Sequence, residues 1–251
     1  MFTGFNLTIN NYDFLYDASY YYSGLNIYNK SKTNVCSHLE QIINKDIIDG
    51  DTLQNLYFPT EILENKGFVF ISHSHNDEKL AISLAGYLDK KFNVLSFIDS
   101  CVWGYMDELN KILNNCSKIK SGYCYSCQCN AFSYNLSYVH MMLASALMTM
   151  IDKCECVFFL NTPSSINLNN KTESPWIYYE LNIANIIQKI SRIQKATMEG
   201  VLGYIRKIEF TPNLKKMIKI DEEILRKWEN EYNSSDVNPF LALYKICGGV
   251  D

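Results

Sequence analysis

The chain has no dense run of lysine and arginine, and its formal net charge is −4. That argues against nonspecific nucleic-acid binding, which draws its affinity from many basic contacts to phosphates. No apolar stretch approaches the ~18 uninterrupted residues of a membrane-spanning helix. The opening residues Met1-Phe2-Thr3-Gly4-Phe5-Asn6 lack the basic-then-apolar order of a secretion signal. A soluble, cytoplasmic protein is therefore expected. Neither common glycine-rich phosphate cradle occurs, which argues against a P-loop enzyme or a Rossmann dehydrogenase. A nucleophile elbow is also missing, and no internal repeat or low-complexity tract stands out.

Of the 251 residues, 47% are hydrophobic and 20% charged, a globular balance best housed in one main core. Nine cysteines without a secretion signal read as thiols, not as a disulfide framework. Cys116, Cys124, Cys127 and Cys129 have the ligand count for zinc. Structural zinc usually draws on two separated knuckles, however, and this segment lacks the glycines or prolines that shape one, so no metal site is expected. Cys154 and Cys156, at the entry to a strand, read as core thiols.

The segment from Met1 to about Asn34 is rich in Asn, Tyr and Ser with weak periodicity, and reads as an irregular extension. Val35, Leu39, Ile42, Ile43 and Ile47 then recur at helical spacing up to Asp49-Gly50-Asp51. Apolar runs at Gly67–Ser72, Asn93–Ile98 and Cys156–Leu160 have the length of strands buried on both faces of a parallel sheet. Helical patterns over Asp77–Lys90, Gly104–Asn115, Ser137–Lys153 and Pro175 to about Ile190 alternate with them. Alternation of this kind predicts an α/β, doubly wound parallel sheet. Beyond Thr197 the pattern weakens: Val201–Phe210 has room for one or two short strands, and Asp221–Tyr232 and Pro239–Ile246 read as helices.

Open parallel sheets bind ligands outside the carboxyl ends of their strands. Three loops converge there: Ser72-His73-Ser74-His75-Asn76-Asp77, Asp99-Ser100-Cys101-Val102-Trp103-Gly104-Tyr105 and Asn161-Thr162-Pro163-Ser164-Ser165. His73, His75 and Asp77 alternate imidazole with carboxylate, but the need for a helix cap explains Asn76 or Asp77 without a metal. Cys101 or Cys116 with His73 lacks the orienting partner of a thiol hydrolase. The helix at Pro175 starts sharply, with Ser174 as N-cap and proline at its first position. At roughly 100° per residue, Glu180 falls on the margin of the stripe formed by Ile177, Leu181, Ala184 and Ile187, and Trp176 lies one turn before it. Together Trp176 and Glu180 can make one wall of a pocket.

Phe68-Val69-Phe70-Ile71-Ser72-His73-Ser74 with Asp77-Glu78, then Phe97-Ile98-Asp99 with Gly104-Tyr105, then Val157-Phe158-Phe159-Leu160 and Ser174-Pro175-Trp176-x-x-x-Glu180, resemble a TIR (Toll/interleukin-1 receptor homology) domain over about residues 66–205. In particular the chain resembles the bacterial TIR proteins of antiphage defence, including the Thoeris type. The resemblance implies a flavodoxin-like fold. It makes residues 1–65 an amino-terminal extension with one helix, about 116–136 an insertion before the third strand, and 206–251 a carboxy-terminal helical extension. It also implies cleavage of the nicotinamide–ribose bond of NAD, as substrate and not cofactor, to give ADP-ribose or a cyclic or conjugated signal for a separate effector protein. Glu180 becomes the catalytic residue, and Ser72, His73, Asp99, Tyr105 and Trp176 line the pocket. Homo-oligomers are expected on activation, with neither nucleic acid nor membrane as partner. Asp99 has an alternative role as a cap of its loop, and His140 reads as a packed histidine. Two other functions stay open: a non-catalytic TIR adaptor acting by self-association, and an enzyme like the nucleoside deoxyribosyltransferases, which share the layout and also use a carboxylate at an N-glycosidic bond.

Overall fold

A computed structural model describes residues 2–10, 15, 17–43, 68–100, 125–190, 211–233 and 238–248. In chain order the elements are β1 (Thr3–Leu7), α1 (Ala18–Ile43), β2 (Phe68–Ser72), α2 (Glu78–Phe92), β3 (Leu95–Ile98), α3 (Tyr125–Lys153), β4 (Cys156–Leu160), α4 (Pro175–Ile190), β5 (Ile218–Ile220), α5 (Glu222–Asn233) and α6 (Pro239–Ile246). The five strands form one sheet in the order β3-β2-β4-β1-β5, and every pairing is parallel. The doubly wound α/β expectation is met. Among the described residues no helix is long and apolar enough to cross a membrane.

Two strands depart from the sequence reading. Residues 3–7, expected as part of an irregular extension, are instead an internal strand that pairs β4 on one side and β5 on the other. Their period-2 signal is short: Phe5, Leu7 and Ile9 alternate with polar or small residues and are 0%, 1% and 6% exposed. The expected helical extension at the other end likewise contributes β5. Only three residues long, it has too few positions to show any periodicity. Helix α1 begins at Ala18, well before the expected Val35, and α3 begins at Tyr125, so residues 125–136 of the expected insertion are helical. The expected helix at 104–115 and strands at 201–210 lie outside the described residues.

The pleat sorts the strands' side chains onto two cores. Val69 and Ile71 of β2, Phe5 and Leu7 of β1, and Phe158 of β4 pack with α1, α2, α5 and α6. Phe68 and Phe70, Phe97, Val157 and Phe159 point the other way, against α3 and α4. Helix α2 closes on Asn93 in the left-handed region (φ 51°), whose N–H bonds the Asp89 and Leu88 carbonyls. Helices α1 and α2 cross so closely that a Cβ on Gly24 would stand 1.8 Å from the Ile82 carbonyl oxygen, and one on Gly86 1.8 Å from that of Tyr20. Only glycine fits at this crossing.

The chain leaves β2 through α2 on the first face and β4 through α4 on the second. Since β2 and β4 are neighbours, their carboxyl ends mark the switch point where such sheets bind ligands.

Candidate functional site

Ser72 is the last residue of β2, and by alternation it follows Phe68 and Phe70 onto the α4 face. Asp99 follows Phe97 in the same way at the end of β3, where its N–H bonds the Ile71 carbonyl at 3.4 Å. Helix α4 enters from the other side, capped by Ser174, whose Oγ accepts the Ile177 N–H at 3.2 Å. The inward stripe runs as its spacing predicts: Ile177, Leu181 and Ala184 are buried and Ile187 is packed against the same core.

These three elements bring four of the predicted residues into one cluster. The Ser72 hydroxyl donates to Glu180 Oε2 at 2.7 Å. His73 Nδ1 stands 2.5 Å from Asp99 Oδ1, with both side chains almost wholly buried. This contact is ionic and not a well-directed hydrogen bond, because neither atom has a partner of acceptable angle. His73 Nε2, Ser100 Oγ and Glu180 Oε1 are also buried without hydrogen-bond partners. Buried polar atoms without a protein partner at this density are unusual in a native interior and call for a water, an ion or a ligand.

Beside the cluster opens a cavity of about 210 Å³ lined by His73, His75, Asp99, Ser100, Ser174 and Trp176. It falls below the ~300–1,000 Å³ of pockets that enclose drug-sized ligands, and matches a ring with its attached sugar better than a whole dinucleotide. Trp176 reaches the wall as expected. Glu180 does not: it is 0% exposed and lies behind the lining residues, bonded to Ser72. Helical angle locates a residue on a face but says nothing of depth. His75, weighed in the sequence only as a metal ligand, and Ser100 and Ser174, read there as loop and cap, also line the cavity, and their positions beside His73, Asp99 and Trp176 are the available signal. His140, expected to be packed, has its ring 5.9 Å from that of Trp176 in an edge-on contact while the residue itself stays exposed. Tyr179 buttresses the indole from the other side at 6.1 Å and is fixed through its hydroxyl to the Ala144 carbonyl. Tyr105 lies outside the described residues.

Burial pushes the Glu180 carboxyl well above the usual carboxylate range, and the negative charge of Asp99 pushes it further; the Ser72 hydrogen bond opposes both without reversing them. For His73, burial disfavours the charged ring, but the Asp99 carboxylate and its contact outweigh burial and raise the pKa. The cluster thus favours the neutral form of Glu180 and the charged form of His73 relative to the free side chains.

Among the described residues no three of His, Cys, Asp and Glu stand together as a metal site. Cys154 and Cys156 are buried thiols whose pKa values burial drives up, as befits core residues and not nucleophiles. Compared with protein-family models, with curated proteins and with solved structures, the chain matches none.

Proposed function

We propose that the chain is a TIR-type enzyme that consumes NAD, breaking the nicotinamide–ribose bond with Glu180 as its catalytic carboxylate. One observation carries the reading: the carboxyl of Trp176-x-x-x-Glu180 meets Ser72 at the switch point, against Asp99 and His73 and beside a cavity that Trp176 lines. Burial and the Asp99 charge disfavour the Glu180 carboxylate, and a pyridinium cation opposes both. Seating it here favours the ionised Glu180, so substrate entry and proton loss are linked. As the C–N bond breaks, its electron pair goes to the nicotinamide nitrogen, which leaves neutral and needs no acid. The positive charge moves to the ribose, where Glu180 stabilises the oxocarbenium-like transition state. Water then adds at the anomeric carbon and releases a proton, giving ADP-ribose. An internal nucleophile gives a cyclic product instead when water is excluded. Self-association on activation and a product that signals to a separate effector belong to the same reading.

Purified protein incubated with NAD at high concentration should release nicotinamide, measured by chromatography with mass spectrometry of the product, and Glu180→Gln should release almost none. Equal release by both proteins would refute the assignment. No release by the wild type would favour the adaptor. A second reading has its own support in the two carboxylates, Glu180 and Asp99, that stand together as an N-deoxyribosyl transfer enzyme would use them. Release of free base from deoxynucleosides, with NAD left intact, would select it.

A further inference from the structure

A second cavity opens at the same edge of the sheet and takes no part in the chemistry above. Its volume is about 750 Å³, and residues of α1 and α2 place it on the opposite side of β2 and β4 from the Trp176 cavity. The one-turn 3₁₀ helix His75–Asp77 divides the two: His75 lines the smaller, Asn76 and Asp77 the larger.

Five kinds of group meet in it. Tyr21 offers an aromatic ring, and Leu80 apolar surface. Lys79 is exposed and makes no ion pair among the described residues, while Asn76 beside it offers an amide. Asp77 is a carboxylate held in place: Thr162 Oγ1 donates to its Oδ2 at 2.5 Å, and Thr162 is in turn fixed by a 2.9 Å bond from its N–H to Ser165 Oγ. That leaves the other carboxylate oxygen to accept from a ligand. The amino ends of α1 at Ala18 and α2 at Lys79 also open onto this space and favour negative charge there.

A simple anion would gain from Lys79 but be repelled by Asp77, and it would fill little of the volume. An apolar ligand would leave Lys79 and Asp77 desolvated without partners. A ligand with a phosphate for Lys79 and Asn76, sugar hydroxyls for the free oxygen of Asp77, and a flat base for Tyr21 satisfies all of them at a volume within the range of ligand pockets. We propose that this cavity is a second binding site, separate from the Glu180 centre, and that it takes a nucleoside phosphate. Because Asp77 belongs to the turn shared with His75, occupancy of the larger cavity bears directly on the wall of the smaller one.

Calorimetric titration with ADP tests this on the full chain, since ADP has no nicotinamide bond to cleave. One-to-one binding is expected in the wild type and equally in Glu180→Gln and Trp176→Ala. Lys79→Glu, at an exposed position, should weaken it roughly tenfold or more, and Tyr21→Ala by a similar factor. Adenosine alone and inorganic phosphate alone should each bind at least about tenfold more weakly than ADP. Absence of ADP binding at millimolar concentration, or binding that survives Lys79→Glu and disappears in Trp176→Ala, would overturn the second site. Inorganic phosphate binding as tightly as ADP would overturn the nucleoside assignment. All of these outcomes are independent of whether the protein cleaves NAD.

Discussion

The two faces of the sheet are built to different ends. On the α1, α2, α5 and α6 face, most of the polar groups that enter the core find partners, Ser96 Oγ on β3 being an exception. Tyr87 donates to Glu229 Oε2 at 3.2 Å, Trp228 Nε1 donates to the Pro239 carbonyl at 2.7 Å, and Phe92 and Trp228 stack at 3.8 Å. On the α3 and α4 face, Glu180, Asn185 and Gln188 each keep a buried oxygen without a partner, and so does Asn6 from the strand beneath. His73, Asp99 and Ser100 add to these at the strand ends. The first face carries the better-satisfied core; the second gathers most of the buried polar atoms that lack a protein partner and so need a water or a ligand.

The sharpest way to break this comparison is to exchange one residue on each face and read both activity and stability. Glu180→Gln should lower nicotinamide release by roughly 10³-fold, about 4 kcal/mol in the barrier. Its melting temperature should stay at or above that of the wild type, because the substitution removes a buried titratable group. A large fall in melting temperature would mean that Glu180 is structural. Gly86→Ala on the other face should do the reverse. Its methyl would lie 1.8 Å from the Tyr20 carbonyl oxygen, and the helices must part by a destabilisation of about 3 kcal/mol in a denaturant titration. Unchanged stability would show that α1 and α2 do not cross there.

The pH dependence sharpens the contrast. Both Glu180 and His73 have raised pKa values, so the folded state holds protons that the unfolded chain releases. Glu180's contribution is fully present below the ordinary carboxylate range, and His73's below about 6.5; each is lost as pH rises through the folded value. Stability should therefore fall on going from about pH 5 to pH 8, by up to about 1.4 kcal/mol per pH unit for each proton released. Asp99→Asn removes the charge that raises His73 and should flatten the His73 part of that slope, while the part due to the burial of Glu180 stays; an unchanged slope would show that His73 does not contribute. The smallest effect is expected from Lys91→Ala. It removes a half-exposed pair with Glu229 at 2.6 Å and should cost less than about 1 kcal/mol.

How much of this was legible differs along the chain for physical reasons. Strands β2 and β4 stood out because each is a continuous apolar run buried on both faces, and α4 because Ser174-Pro175 marks its start. The convergence of the loops after β2, β3 and β4 follows from the parallel topology, whereas the pocket roles of Ser72, His73 and Asp99 come from the family resemblance. Strand β1 was hidden because Gly4 and Asn6 dilute a short alternation within an asparagine- and tyrosine-rich stretch. The depth of Glu180 was illegible because it depends on how closely α4 approaches β2, a tertiary distance that no spacing encodes. The larger cavity needs α1, the start of α2 and the loop after β4 to be brought together, and so it has no sequence signature at all.

The place of β1 has a kinetic consequence. Thr3 pairs with Cys156 and Phe5 with Ile218, so β1 fills a slot whose two sides appear far later in synthesis than β1 itself. Nearly all of the sheet's central pairing is therefore non-local, which slows folding and leaves an unmatched apolar strand waiting while the rest of the chain emerges.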